Sequence, residues 1–397
     1  MENKQSFFLP QLNGLRFIAF FMVFLIHAPF LNFTSNNEYL KLISTWYNYF
    51  NQHLGNSGVD LFFCLSAFLI TKLLLIENDK YGSFSIGRFL KRRILRIFPL
   101  YYLMLFLGFV VIPIFYFNNT TVFPVSSDVH QNILKLTLVP HLLFFANNTA
   151  LVTGSPNEFL APLWSLSIEQ QFYVIFPLIL YYFVSKKENV FRDMTYFLIF
   201  ALLLTTAIKF YYIGAGYAHP KIYLSSMTRL DCFIFGTFVA LKNHYHPTIL
   251  KIKFQPLIGS LVLGLNLSLP TPYAAVPHLW IPLSYLSNAV GFSLILDYLV
   301  RNSTSTFSKI LSVKPLLFLG NVSYGLYVFH IMGFRIANEI HTKLQMNVSG
   351  IYYFIYLLIA FLITLGFATV SYYCYELPFL RLKNRFTTVT RTNNKSA

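Results

Sequence analysis

The chain has 397 residues, 56% of them hydrophobic and only 11% charged, with a mean hydropathy of +0.56. Soluble domains carry about 25% charged residues, so this composition excludes a globular enzyme on a single anchor and implies a polytopic membrane protein. The net charge of +16 raises nucleic acid as a partner, but where the charges sit argues against it.

Ten apolar segments are predicted as spanning helices, at about 14–34, 56–76, 94–117, 163–184, 194–213, 222–242, 255–271, 278–300, 315–337 and 350–374. A shorter stretch near 133–146, interrupted by Pro140-His141, is too short to cross and reads as re-entrant or interfacial. With the N-terminus inside, the cytoplasmic loops and tail hold about twenty Lys and Arg. The outer loops hold about four: Lys41, Lys135, Lys221 and Lys343. That asymmetry supports an all-α membrane bundle with both termini cytoplasmic, and explains the net charge by topology and anionic lipid. The expected organisation is one membrane domain over 1–385 and a disordered tail over 386–397. The N-terminus carries no small-residue cleavage site, so the first helix reads as retained. Cys64, Cys232 and Cys374 lie in apolar segments without metal-ligand spacing, which implies neither a disulfide framework nor a metal site.

The first segment, GLRFIAFFMVFLIHAPF, contains Arg16 and His27. Eleven residues of helix advance about 16 Å and return to nearly the same face. The two side chains therefore share a face at different depths. Ionisable groups inside a bilayer are costly and mark function by default, although a snorkelling Arg and a hydrogen-bonded packing His would also satisfy the pattern. The second segment opens SGVDLFFCLSAFLI, with Asp60 near its outer end, where it either offsets the helix dipole or serves a site.

At the third segment, GRFLKRRILRIFPLYY is the densest basic run. Arg92, Arg93 and Arg96 form a positive-inside anchor or a phosphate site, guanidinium forks being matched to phosphate. Arg96 lies a turn inside apolar sequence, deeper than an anchor needs. The fourth segment begins WSLSIEQQFY. Trp164 and Ser165 sit at its outer start, with Glu169 a turn inward. Ser165 suits a cap, and Glu169 needs a partner such as Arg16, Arg229 or a protonated His27. Arg229 and Asp231 follow in segment six, and Tyr324, Tyr327 and His330 share a face of segment nine. Asp297 reads as a polar terminus, and Glu376-Leu377-Pro378 as a helix stop.

Together these motifs resemble the acyltransferase-3 family of integral membrane O-acyltransferases, over nearly the whole chain. The resemblance implies transfer of an acyl group, usually acetyl, from cytoplasmic acetyl-CoA to a sugar hydroxyl of an envelope or exported glycan, or of a lipid-linked sugar. It implies a multi-pass protein of the cytoplasmic membrane that uses no metal. Carried over by residue, it marks Arg16 and His27 of the first helix, Arg93 and Arg96 of the third, and Trp164, Ser165 and Glu169 of the fourth. Ala67 and Gln170 depart from the pattern, where Gly and a second acidic residue are common, leaving the acidic role to Glu169. Some members carry an extra extracytoplasmic esterase-like domain.

Acyl transfer to a hydroxyl needs a base for the O–H proton and a donor for the developing oxyanion. The expectation is His27 as base, Glu169 or Asp60 orienting it or binding sugar hydroxyls, and Arg16 on the thioester carbonyl or pantetheine phosphate. Arg92, Arg93 and Arg96 would take CoA phosphates, and Trp164, Ser165, Tyr324 and His330 would line the acceptor side. The rival is a transporter or flippase of a glycan or lipid-linked precursor, since buried charges suit that equally.

Overall fold

Apolar runs bounded by capping residues fold here as helices. The computed structural model describes residues 9–33, 37–112, 114, 136–152, 158–186, 188–217, 219–248, 254–266, 280–345 and 349–386. The main helices are α1 (Gln11–Ile26), α2 (Glu38–Tyr81), α3 (Ile86–Phe106, running into a π turn at Leu107–Val111), α4 (Leu163–Ser185), α5 (Val190–Gly214) and α6 (Asp231–Tyr245). They continue with α7 (Gln255–Leu265), α8 (Trp280–Arg301), α9 (Lys314–Asn321), α10 (Ser323–Lys343), α11 (Ile351–Val370) and α12 (Leu377–Lys383). Among the described residues all regular structure is helical. Local chemistry sets the ends. The Asn37 side chain accepts from Tyr39 N (2.9 Å) to start α2, Gly82 ends it in the left-handed conformation (φ 71°), and Ser85 starts α3 by accepting from Arg88 N (3.3 Å).

Contacts between helix ends and the adjoining turns gather them into two sets. At one end Gln11 donates to Leu299 O (2.9 Å), Glu77 meets Arg92 (2.9 Å), Asp79 meets His244 (3.3 Å), and Phe191 packs on His246. This is the basic end. At the opposite end Asn51 donates to Leu25 O (2.6 Å), Gly350 N to Asn32 O (3.1 Å) and Tyr353 to Tyr47 (3.2 Å). The largest buried cluster runs through α1, α2, α3, α8 and α10, with Phe20, Cys64, Phe68, Tyr101 and Leu326 fully enclosed. Small residues bring helices close: a Cβ on Gly58 would lie 2.5 Å from Ala19 O, and one on Gly320 would overlap Asn13 O.

The ten expected spans fall on helices, but ten full crossings are not what the lengths give. Among the described residues six helices are long and apolar enough to span, seven if α9 and α10 count as one. At 16 residues α1 reaches about 24 Å, short of a hydrocarbon core of about 30 Å, and α6 and α7 have 15 and 11 residues. The expected span 222–242 is interrupted: a short helix His219–Leu224 and a 3-10 turn Ser226–Thr228 precede α6. The span 315–337 is bent by 74° between α9 and α10. Gly320 lies against α1 there, and Ser323 Oγ donates to Gly320 O (2.9 Å) where the helix breaks.

Two further corrections follow. The helix of the second segment begins at Glu38, well before the predicted 56, so Asp60 sits mid-helix and cannot offset an N-terminal dipole. Pro378 starts α12 instead of ending a helix, since the missing N–H costs nothing in a first turn. The described part of the 133–146 stretch is a short helix at 136–142, tied to α3 by Tyr101 OH to His141 O (2.7 Å). The tail beyond Phe386, expected to be disordered, lies outside the described residues.

Candidate active site

The break between α9 and α10 opens space beside α1, α2, α3 and α4. A cavity there is lined by Arg16, Arg93, Arg96, Glu169, Tyr173 and Tyr324. Ser66, Ser165, Ser323 and Tyr327 complete its polar wall. Glu169 is held by two hydroxyls: its Oε1 accepts from Ser66 Oγ on α2 and from Tyr173 OH one turn along α4. The Tyr173 ring carries the Arg93 guanidinium at 5.0 Å, and Phe89 flanks the same guanidinium at 5.4 Å. Arg96, three residues on, faces the same space. Arg16 donates to Asn13 Oδ1 (2.9 Å), and Tyr324 OH donates to Ile97 O (2.9 Å), tying the start of α10 to α3. Three guanidiniums face one carboxylate across a partly apolar cavity, a field that favours an anionic ligand with phosphate-like oxygens.

Away from the arginines the cavity ends on a hydroxyl pair. Ser165 Oγ and Tyr327 OH are 2.5 Å apart, and both reach Pro162 O, at 3.2 and 3.3 Å. The backbone of Tyr327 leads to His330, whose Nδ1 lies 2.5 Å from Tyr327 O. His330 Nε2 is 3.3 Å from His27 Nδ1, and His27 closes α1 as its C-cap. His27 is exposed, whereas His330 is buried. An acidic-and-basic cavity, a hydroxyl pair and an imidazole pair thus follow one another along α1 and α10. Together they hold the parts an acyl transfer needs: an anion cradle, hydrogen-bond donors and a base.

The chain matches the acyltransferase-3 family, described as an acyltransferase domain, over residues 9–375. The chain belongs to this family. The O-acetyltransferase OatA of Staphylococcus aureus is 27% identical over 385 residues, in strains NCTC 8325, COL and N315 alike, covering 94% of this chain. The chain spans 57% of the length of those relatives. No solved structure matches it.

In this acyltransferase domain the sequence motifs divide between two clusters. Arg16, Arg93, Arg96, Ser165, Glu169 and Tyr324 line the cavity, and His27 and His330 meet beyond it. Arg92 does not join them. It pairs with Glu77 (2.9 Å) and donates to Phe386 O (2.9 Å), fastening α3 to the C-terminal turn. Asp60 and Trp164 lie elsewhere. Asp60 pairs with Arg229 (2.6 Å) and accepts from Asn288 (2.8 Å), and Trp164 packs on Tyr223, whose ring lies 4.4 Å from the Arg229 guanidinium. Lys209 and Asp231 add a second pair (2.5 Å) beside them. Arg229 therefore partners Asp60, not Glu169, and among the described residues the groups beside His27 Nδ1 are Val23 O and His330. Asp297 is more than a polar terminus: Lys242 and Arg301 each reach it at 2.6 Å. Tyr173 was missed by sequence reading, although its i,i+4 spacing from Glu169 was a usable signal. Among the described residues no group of three His, Cys, Asp or Glu has the arrangement to hold a metal.

Proposed function

We propose that this membrane domain is an O-acetyltransferase that takes an acetyl group from acetyl-CoA at its basic, cytoplasmic end and transfers it to a hydroxyl of an envelope or exported glycan. The observation that carries this reading is the cavity, where Arg16, Arg93 and Arg96 share a wall with Glu169 and lead by way of Ser165 and Tyr327 to His330 and His27. Arg93 and Arg96 bind CoA phosphates, for which the guanidinium fork is suited. Arg16, further along, steadies the thioester carbonyl as negative charge develops on its oxygen. Ser165 and Tyr327 close the far wall and keep bulk water from the thioester. His27 takes the acceptor's O–H proton as general base, and Glu169 binds acceptor hydroxyls or holds the cavity's charge in balance. The matched relatives support this reading through their printed names as O-acetyltransferases. The basic end is assigned to the cytoplasm because most Lys and Arg of the loops gather there.

The test is turnover of labelled acetyl-CoA by the purified protein, together with mass analysis of the envelope glycan from cells with and without it. Loss of acetyl substituents from the glycan, matched by label transfer in vitro, is the expected result. A protein that moves a glycan precursor across vesicles but never consumes acetyl-CoA would establish the transporter reading instead.

A further inference from the structure

Two imidazoles meet where α1 ends. His330 is fully enclosed, at 0% exposure, and its ring centre lies 4.8 Å from that of His27 at an interplanar angle of 65°. The contact joins His330 Nε2 to His27 Nδ1 at 3.3 Å. Each Nδ1 also meets a backbone carbonyl: His27 Nδ1 lies 2.8 Å from Val23 O, and His330 Nδ1 lies 2.5 Å from Tyr327 O. A carbonyl only accepts, so each Nδ1 carries the hydrogen. His330 Nε2 is then a lone pair set beside the N–H of His27. One proton arrangement satisfies all three contacts, and it leaves Nε2 of the exposed His27 as its basic nitrogen.

We infer that His330 is the positioning residue of His27, a neutral imidazole that accepts from the Nδ1–H of the base beside Val23 O and shares the charge of its imidazolium. The inference rests on the assignment of His27 as base. In the transfer step the acceptor O–H bond breaks and its proton goes to His27 Nε2. The oxygen's electron pair forms the new C–O bond to the acyl carbon. The C–S bond then breaks, and the sulfur leaves as CoA thiol with the proton returned from His27 Nε2. Between these events His27 is an imidazolium whose Nδ1–H is shared by Val23 O and His330 Nε2. A carboxylate does this work in Ser-His-Asp sites. Here a second imidazole does it without placing another anion in an apolar setting, where an unpaired charge is expensive. His330 is fixed in turn by the carbonyl of Tyr327, the residue whose hydroxyl closes the cavity, so one turn of α10 sets both the wall and the base. Simple packing also has a voice: the Phe20 ring meets His330 edge-on at 6.4 Å. A phenyl ring would preserve that packing and remove the acceptor.

The experiment therefore compares full-length, purified His330→Phe and His330→Gln with wild type. It reads kcat and KM for acetyl-CoA, thermal unfolding in detergent, and the tautomer of His27 from ¹⁵N-histidine spectra. His330→Phe is expected to lower kcat about 10–100-fold with KM within about twofold, while Val23 O keeps the hydrogen of His27 on Nδ1. His330→Gln, whose amide oxygen accepts, should recover at least about fivefold in kcat. Wild-type kcat in His330→Phe overturns the inference, as do equal losses in two variants that unfold at the wild-type temperature. If His330→Phe does not fold, the wild-type spectrum still decides, because a His27 protonated at Nε2 contradicts the arrangement outright. The assignment of His27 as base fails separately, through an active His27→Ala protein, which leaves the tautomer of the wild-type ring unaffected.

Discussion

The cavity around Arg93 and the cluster around Arg229 are made of the same residue types and differ in what faces the charge. In the cluster, Arg229 meets Asp60 at 2.6 Å and Lys209 meets Asp231 at 2.5 Å, with Tyr223 and Tyr285 packed on the guanidinium. Every side chain there is buried apart from the part-buried Tyr223. In the cavity, Arg93 and Arg96 share the lining with one carboxylate, Glu169, whose Oε1 is held by Ser66 and Tyr173. Buried charges that neutralise one another hold helices α2, α5 and α6 in register. The part-buried charges that line the cavity are the ones the proposed function assigns to a ligand. The presence of an arginine in a membrane segment does not separate the two cases; the location of its counter-charge does.

Breaking the closed cluster should have the largest effect. Arg229→Leu strands Asp60 in an apolar interior, and removal of one partner of a buried pair costs about 3–5 kcal/mol. Thermal unfolding in detergent should show a protein that barely folds, and adding Asp60→Asn in the same chain should restore much of the loss. A single variant as stable as wild type would mean the pair is not structural. Next is Arg93→Ala/Arg96→Ala. Charge-assisted hydrogen bonds are worth about 1.5–3 kcal/mol each, so CoA affinity by calorimetry should fall at least tenfold while unfolding shifts little. Unchanged affinity would remove the cavity's assignment.

A smaller effect is expected at the helix break. In Gly320→Ala the new methyl would overlap Asn13 O, forcing α9 off α1 at about 1–3 kcal/mol. The same displacement would widen the cavity, so acetyl-CoA KM should rise alongside the loss of stability. Arg92→Ala sharpens the comparison from the other side. It strips Glu77 of its partner and should cost about 1–3 kcal/mol of stability, yet leave CoA affinity within about twofold. A tenfold loss of affinity would return Arg92 to the binding site.

The apolar segments were legible because charge is scarce inside them and dense between them, and α4, predicted at 163–184, is observed as Leu163–Ser185. The outer part of α2 was not. Residues 38–55 mix Glu38, Lys41, Asn48, Asn51 and His53 with aromatics, a helix that lacks the apolar run by which a span is recognised. The bend before Ser323 was hidden for the opposite reason: hydropathy continues across Gly320–Ser323, and only the approach of α1 shows why the helix breaks there. In the site, Arg16, His27 and Arg96 could be named as candidates from spacing and depth in the sequence. Pairings between distant segments could not. Asp60 and Arg229, Ser66 and Glu169, and His27 and His330 are joined only by the packing of helices far apart in sequence.

The most direct test of the account is the acetyl-transfer rate of purified His27→Ala against wild type, at saturating acetyl-CoA, with acceptor glycan present. General-base catalysis contributes about 10²–10⁴-fold, so the variant should bind CoA normally and transfer at least about a hundredfold more slowly. Transfer at a near-normal rate would contradict the account.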